Sequence, residues 1–241
     1  LVSVASNAVQ SYQRALGTVS NNIANVGTEG YSRQEVVLVA NPVSKVGMLY
    51  LGTGVTVDTV KRQYDTFAEA NLRNSNSDLT SQEPMVTYAN RVIDIMGSSS
   101  MGLSGALDQF FNAARDLSSD PASTVMRGSF LRDSENLAAR FDELSGQLDL
   151  VQSETDEALK SYVNSMNTTF KQLAAVNVQL TKQKSADLQP ADLLDQRDVL
   201  LKDLSGYAHI KTGFAENGAV TVSLGQSLTR DVVVDGLNYF M

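Results

Sequence analysis

The sequence contains no cysteine and no tryptophan, and only four of its 241 residues are proline. The missing cysteines exclude disulfides, thiolate nucleophiles and cysteine-bound metals. Aromatic residues make up only 7% of the chain, although 42% of it is hydrophobic. Because small and unbranched side chains dominate instead, the composition favours long, thin helices over a thick globular core.

Positive charge and long apolar runs are also scarce. The 27 acidic residues outnumber the 19 Lys and Arg residues, which leaves a net charge of −8. No nucleic-acid partner is predicted, because phosphate binding needs a basic face. No apolar run reaches the length of about 18 residues that a membrane-spanning helix requires, so no membrane partner is predicted either. Residues 1–30 lack the basic start and compact apolar segment of a Sec-type signal.

Motifs of catalytic chemistry are missing as well. His209 is the only histidine and lies in a strand-like segment, which favours a structural or solvated side chain. The sequence contains no Gly-x-Ser-x-Gly nucleophile elbow, no HExxH metalloprotease motif, no EF-hand calcium loop and no Walker A motif. Four carboxylates recur at helical spacing: Asp192, Asp195, Asp198 and Asp203. Acid–base chemistry by two of them is formally possible, but Arg197 and Lys202 lie among them, so we interpret the group as a local surface salt-bridge web. The sequence thus predicts no enzyme, cofactor or metal.

Residues 1–26 carry a strict seven-residue repeat of apolar side chains. One row contains Val2, Val9, Leu16 and Ile23, and a second row, three residues further on, contains Ala5, Tyr12, Val19 and Val26. These rows are the a and d positions of a coiled coil, because an ordinary amphipathic helix drifts away from sevens over this length. We call the two rows the seam. A seam this narrow needs a partner helix, and no adjacent segment supplies one.

The period changes over residues 34–60. QEVVLVA and GVTVDTV are rich in β-branched residues, and the glycine-rich GMLYLGTG lies between them, which predicts a hairpin or extended β-arm. Helical spacing returns over residues 63–96. The run GSSSMGLSG at 97–105 predicts a flexible break, and residues 106–118 predict a short amphipathic helix.

The dominant helical signal follows Asp120 and Pro121, which we interpret as an N-cap and a first helical position. Side chains then recur three or four apart without a break, at Leu137, Phe141, Leu144, Leu148, Val151, Thr155, Leu159, Tyr162, Met166, Phe170, Leu173, Asn177 and Leu180. The spacing predicts one helix over 122–184. About 60 residues would give a helix roughly 90 Å long, which is typical of a rod.

A turn and a further helix are predicted over residues 185–207, starting at Pro190 and ending at Gly206. From residue 208 the alternation predicts a small β element with a turn at Asn217–Gly218. The predicted fold class is mainly α, a long-helix bundle or coiled-coil rod with an extended β-arm and a small β element at the C-terminal end. The predicted division is a terminal coiled-coil segment, the arm, a long-helix bundle and the start of a β-rich outer domain, at 1–33, 34–62, 63–207 and 208–241.

Three amides crowd the end of the first helix, at Asn21, Asn22 and Asn25. Asn is a poor residue inside a helix because its amide competes for backbone groups. A fraying helix end capped by Asn25 explains only one of the three. We therefore predict that these amides bond sideways to neighbouring helices and fix their register.

The stretch SNNIANVGTEGYSRQ resembles the N-terminal signature of bacterial flagellar rod, hook and hook-associated proteins, S-x-N-I-A-N-x-x-T-x-G-Y-x-R. The matching positions are Ser20, Asn22, Ile23, Ala24, Asn25, Thr28, Gly30, Tyr31 and Arg33. Glu29 replaces the usual proline of the signature, and Gly27 replaces a common asparagine.

Three later stretches resemble the hook-associated protein 1 family within this group. They are LDQFFNAARDLSSDPASTVMR at 107–127, FKQLAAVNVQL at 170–180 and ADLLDQRDVLLKDLSGY at 191–207. The most specific run is Leu193, Leu194, Asp195, Gln196, Arg197 and Asp198. Hook and rod proteins share the signature but have no such long-helix region.

The resemblance implies a structural, non-enzymatic protein of the extracellular flagellum that joins hook to filament and leaves the cell through the flagellar type III apparatus. The implied partners are further copies in a ring of the axial tube, the hook protein, the second hook–filament junction protein and an export chaperone. Gly27 and Gly30 would turn the chain, and Tyr31 and Arg33 would anchor the arm against the next subunit. The predicted subunit-interface residues are Val2, Val9, Leu16, Asn21, Asn22, Ile23, Asn25, Thr28, Gly30, Tyr31 and Arg33.

Three alternatives stay open at this point. The chain could be another axial protein, such as a hook or distal rod subunit, although the helical region 122–207 disfavours this. It could be a flagellum-associated wall hydrolase, which the missing catalytic motifs disfavour. It could also be a generic coiled-coil adaptor, which would form a stable parallel dimer. In the family the seam pairs with a C-terminal helix that is absent here, so we expect a fragment of a longer protein.

Overall fold

The computed structural model describes residues 2–97, 102–182, 184–185, 189–225, 228 and 231–240. Helices hold 63% of the described residues, which confirms the predicted mainly α class with small antiparallel sheets. The helices are α1 Val2–Ala24, α2 Thr66–Met96, α3 Leu103–Ser119, α4 Thr124–Leu180 and α5 Ala191–Ser205. The strands are β1 Gln34–Ala40, β2 Ser44–Val46, β3 Leu49–Leu51, β4 Val55–Arg62, β5 Ile210–Phe214, β6 Val220–Leu224, β7 Val232–Asp235 and β8 Asn238–Tyr239.

The chain divides into two compact units. The first contains Leu1–Leu79 and Ser165–Met241, and the second contains Thr80–Asn164. Helices α2 and α4 each contribute residues to both units. The division into four segments that the sequence suggests stays a prediction.

In the first unit, the predicted β-arm is an antiparallel pair of β1 and β4, with Gln34 opposite Arg62 and a bulge after Val37. A smaller hairpin of β2 and β3 lies between these two strands. Helix α1 packs on β1 and β4, and its buried Ser11 hydroxyl donates to the Val55 carbonyl at 3.4 Å. This packing fixes α1 to the arm through a face that does not include the seam.

The core of the first unit lies between the last turns of α4, helix α5 and a sheet in the order β5–β6–β7–β8. Its fully buried side chains include Leu173, Leu180, Leu201, Leu204 and Val222. The predicted hairpin turn is present at Asn217–Gly218, where Gly218 has φ +82° and the Asn217 carboxamide accepts from the Ala219 N–H. The small β element at the C-terminal end is therefore confirmed.

The second unit contains parts of α2 and α4 together with α3. Phe110 of α3 and Phe130 of α4 have ring centroids 5.3 Å apart. Arg91 and Glu154 form a half-exposed ion pair, and the hydrogen bond from this pair raises the pKa of Arg91. The short helix that the sequence predicts at 106–118 is confirmed as α3. The predicted break at 97–105 falls partly on residues 98–101, which lie outside the described residues.

Helix α4 contains 57 residues without interruption, as the spacing of its side chains predicts. The predicted start is wrong, because Asp120 ends α3 and Pro121 lies in a turn. Ser123 caps α4 instead, since its hydroxyl accepts from the Met126 N–H at 3.3 Å. A serine hydroxyl at the N-cap accepts a hydrogen bond from a free N–H group of the first helical turn, which a proline side chain cannot do.

Candidate assembly site

Helix α1 has two different long faces. The first consists of small or polar side chains that lie toward β1 and β4: Val4, Ala8, Ser11, Ala15, Thr18 and Asn22. The second is the seam, whose large side chains are all at least half exposed: Val2, Val9, Tyr12, Leu16, Val19, Ile23 and Val26. Seam residue Leu16 is 67% exposed, which is unusual for leucine along a continuous apolar row. The arm therefore covers one side of α1 and leaves the seam free.

Asn22 fastens the chain reversal that follows α1. Its Nδ2 donates to the Gln34 carbonyl at 2.8 Å, and its Oδ1 accepts from the Gln34 N–H at 2.9 Å. The Tyr31 hydroxyl donates to the same Oδ1 at 2.8 Å. The carboxamide of Asn22 thus bonds both the N–H and the carbonyl of Gln34, twelve residues away, as a neighbouring strand would. The predicted sideways bonds between helices stay a prediction, but the structure gives Asn22 a complete role within its own chain.

The other two amides form a short ladder at the helix end. Asn25 Nδ2 donates to the Asn21 carbonyl at 3.0 Å and to Asn21 Oδ1 at 2.8 Å. The Thr28 hydroxyl donates to Asn25 Oδ1 at 3.2 Å. The Asn21 carbonyl also accepts the Asn25 backbone N–H, so the side-chain bonds reinforce the last helical turn. Their partners are local, which explains why a cluster of amides can end a helix.

The loop at residues 27–32, which we call the signature loop, rests on α5. Gly30 has φ +77°, and a Cβ at that position would lie 2.1 Å from Cγ2 of Val199. The Ser32 N–H donates to Asp195 Oδ2 at 3.2 Å. Gly30 therefore meets two requirements, a left-handed backbone and a close approach to α5, that other residues cannot meet together.

An ion pair fastens the edge of the signature loop. Glu29 Oε1 lies 2.6 Å from Lys202 Nζ, with both side chains largely exposed. The hydrogen bond from Lys202 lowers the pKa of Glu29, and the same bond raises the pKa of Lys202. Because both groups are solvated, this pair contributes little to stability. Its position explains why Glu29 can stand where the family signature has a proline.

A buried charge cluster lies beneath the signature loop. Arg62 at the end of β4 donates to Asp195 Oδ1 at 2.6 Å and to Asp198 Oδ2 at 2.8 Å. Arg197 donates to Asp198 Oδ1 and, at 2.6 Å, to the Gly218 carbonyl. The interpretation as a surface web is wrong for Asp195, Asp198 and Arg197, because Asp195 and Arg197 are only 8% and 5% exposed, whereas Asp192, Asp203 and Lys202 are exposed. The sequence could not show this, since Arg62 lies 133 residues before Asp195.

Two tyrosines border this cluster. Burial raises the pKa of Tyr31, and the carboxylates of Asp195 and Asp192 raise it further. Burial also raises the pKa of Tyr64, and the carboxylate of Asp198 raises it further, while the nearby positive charge of Arg73 lowers it. Both hydroxyls therefore stay protonated at neutral pH, and Tyr31 can donate to Asn22.

The remaining predicted residues lie outside these contacts. Arg33 is exposed, and its guanidinium lies 3.9 Å from the Glu35 carboxylate. Of the family run, Leu194 enters the core, while Gln196 faces solvent beside the end of α1. His209 lies 3.3 Å from Asp78 and is half exposed, as its isolated position in the sequence suggests. No group of three metal-ligating side chains occurs within the described part of the chain.

Among the residues that the structure describes, no helix has both the length and the apolar character needed to cross a membrane.

Two family models match this chain. The model described as "Flagellar hook-associated protein FlgK helical domain" matches residues 89–239, and the model described as "Flagella basal body rod protein" matches residues 3–31. The first match covers more than half of the chain. The second covers α1 and most of the signature loop.

Individual relatives agree with these models. Flagellar hook-associated protein 1 of Salmonella typhimurium is 29% identical over 232 residues, covering 95% of this chain and 42% of the relative. The protein of the same description from Bacillus subtilis is 28% identical, covering 96% of this chain and 47% of the relative. The chain thus spans less than half the length of the curated relatives it matches. The flagellar hook junction protein FlgK from Burkholderia pseudomallei has a similar fold, with TM-score 0.61, 22% identity and coverage of 70% of this chain and 29% of that one.

A terminal helix with a free seam, a signature loop of the axial type and a long-helix region together define a structural protein of the flagellar axis, located in the extracellular flagellum. Within that class, the chain belongs to the flagellar hook-associated protein FlgK family. This family is structural and non-enzymatic, which disfavours the wall-hydrolase alternative. The match of the helical-domain model also disfavours a hook or rod subunit.

Proposed function

We propose that this chain is part of a protein that joins the flagellar hook to the filament by self-assembly into the axial tube. The observation that supports this most is the seam of α1, which the described part of the chain leaves exposed while a different face of the helix is covered. An apolar row at seven-residue spacing is stable in water only when another helix covers it. In the assembled tube, helices of further subunits or of the rest of the same protein supply that cover.

The proposed partners follow from the same assembly. Copies of this protein form one layer of the tube, the hook protein lies beneath it, and the second hook–filament junction protein lies above it. The names of the relatives support a position at the hook. Arg33 extends from the signature loop into solvent, where it is available to the next subunit. An export chaperone would cover the seam before assembly, because an apolar row of this length promotes aggregation.

A seam substitution tests this function. Replacing Leu16 with Asn, Leu16→Asn, should leave the isolated fold unchanged, because the Leu16 side chain is 67% exposed. Incorporation at the hook tip should fall by about tenfold or more, since a buried leucine contributes roughly 1.5–3 kcal/mol. The measurement is antibody labelling of isolated hooks from cells that carry the substitution. Motility should fall in parallel.

Gln13→Asn is the matched control, because Gln13 is an exposed polar residue on the same helix. It should label hooks as the unsubstituted protein does. Normal labelling by the Leu16→Asn protein would contradict the proposed role of the seam. An α1 that unfolds in isolation, seen by circular dichroism, would show that the substitution acts on folding instead.

A further inference from the structure

Helix α1 is joined to the core of the first unit through the strands on which it packs, and its last turn lies beside α5. It packs on β1 and β4, and we call α1, β1 and β4 together the terminal module. Two sets of contacts fasten this module to α5. The signature loop supplies the first, and Arg62 supplies the second. The direction of the seam therefore depends on how firmly these contacts hold.

Apart from the bond of the Ser32 N–H to Asp195, which belongs to the charge cluster, the contacts of the signature loop do not fix its direction on α5. The pair Glu29–Lys202 is exposed, so solvent screens it and both side chains keep rotational freedom. Gly30 touches Val199 through a backbone without a side chain. These contacts bring the loop close to α5 but allow it to rotate.

Arg62 has the opposite properties. Its side chain is 7% exposed, and its two Nη atoms reach two different carboxylates, of Asp195 and Asp198. Those acids lie three residues apart on one face of α5. A planar guanidinium that bonds two fixed acceptors has one orientation. The ring of Tyr64 lies 4.6 Å from the Arg62 guanidinium carbon and limits rotation further.

The carboxylates are themselves held in place. Asp195 also accepts from the Ser32 N–H. Its carboxylate therefore binds both the signature loop and, through Arg62, strand β4. Asp198 accepts from Arg197, and Arg197 donates to the Gly218 carbonyl at the turn between β5 and β6. The cluster thus continues from the terminal module through α5 to the sheet. Each member has a partner, which buried charges require.

We propose that Arg62, held by Asp195 and Asp198, is a positioning residue that sets the direction of the α1 seam relative to the core of the first unit. It acts on assembly through α1 and touches no partner subunit, because the fold buries it. A subunit that lacks the contacts of Arg62 with Asp195 and Asp198 keeps its seam and its core, but the direction of the seam relative to the core varies from molecule to molecule. This inference rests on the proposed assembly function, although the direction itself is a property of the isolated chain.

The test measures that direction in the isolated full chain. The sequence has no cysteine, so the pair Gln13→Cys and Asp203→Cys places one spin label on α1 and one on α5, both at exposed positions. Dipolar spectroscopy then gives the distribution of distances between the labels. Arg62→Met removes the guanidinium and keeps the aliphatic stem. Arg62→Lys keeps one charged donor, and Glu29→Gln is the control for the exposed pair.

We expect one narrow distribution in the unsubstituted background and in Glu29→Gln. Arg62→Met should broaden or shift it by more than its original width, and Arg62→Lys should restore part of the order. Hydrogen exchange of the core amides around Leu173 and Leu204 should stay slow in all variants. An unchanged distribution in Arg62→Met would overturn the inference. So would a joint loss of core protection, since Arg62 would then stabilise the core rather than position the seam.

These outcomes are independent of the hook-labelling result. A narrow distribution in Arg62→Met with failed incorporation of Leu16→Asn removes the positioning role and keeps the assembly function. A broadened distribution with normal incorporation of Leu16→Asn refutes the assembly function and shows that the joint orders the isolated chain alone, which overturns its assembly role.

Discussion

Asn177→Leu should lower the free energy of unfolding by about 3–5 kcal/mol, because it removes three hydrogen bonds, two of them fully buried, and leaves their backbone partners unsatisfied. Asn177 is fully buried near the end of α4. Its Nδ2 donates to the Val220 carbonyl at 2.8 Å and to the Gly236 carbonyl at 2.6 Å, and its Oδ1 accepts from the Val220 N–H. The carboxamide of Asn177 thus bonds both backbone groups of Val220, the first residue of β6, as a neighbouring strand would. Leucine fills similar space but offers none of these bonds.

Chemical denaturation measures the loss, and hydrogen exchange locates it. We expect amides of β6 and β7 to lose protection first, because the Asn177 bonds close that side of the sheet. Gln179→Leu is the control, since Gln179 is exposed two residues further along the same helix. Equal stability of the two variants would mean that the bonds of Asn177 contribute nothing net, contrary to the account of this core.

Gly30→Ala should destabilise the docked signature loop by about 2–4 kcal/mol, as the sum of backbone strain and overpacking. The left-handed backbone of Gly30, with φ +77°, disfavours any residue with a Cβ, and the new atom would lie 2.1 Å from Val199 Cγ2. To relieve the clash, Val199 must leave its rotamer or the loop must move away from α5. Limited proteolysis within the loop and the denaturation midpoint should therefore change together.

A second substitution separates the two causes. Val199→Ala removes the atom that clashes, so the double variant should recover the part of the loss due to overpacking and keep the part due to strain. Gly27→Ala is the control within the same loop, because nothing lies within 4 Å of its would-be Cβ. A Gly27→Ala variant as unstable as Gly30→Ala would contradict the specific role of Gly30.

Much of the fold follows from patterns along the chain. The sevenfold rows predict α1 and the face that stays uncovered, since a strict repeat marks one side of a helix. The change to β-branched alternation predicts the arm, and unbroken spacing by threes and fours predicts α4. These features depend on local backbone geometry, so sequence neighbours are enough to find them.

The contacts that hold the elements together could not be found in this way. Asn177 fits the helical row of α4 as well as any polar residue would, and its partners lie 43 and 59 residues away. The acids of α5 lie beside basic residues in sequence, which suggests a solvated web. Their burial depends on Arg62, which a different element supplies. Side chains whose partners are distant carry no local signal of their role.

The amide cluster shows the same limit within a short range. Three asparagines at a helix end suggested bonds between helices, because helix propensity gives no reason for them. In the structure, Asn22 binds the backbone of Gln34 where the chain reverses direction, and Asn25 donates a hydrogen bond to Asn21. A turn that folds back on its own helix supplies these partners, and the exact path of that turn depends on Gly30 and on α5.

The most direct test is a density map of the intact hook–filament junction with side chains resolved. Our account predicts that Val9, Leu16 and Ile23 lie against apolar side chains of another helix, while Asn22 still binds Gln34 and Arg62 still binds Asp195 and Asp198. A map in which these three seam side chains face open solvent would contradict it.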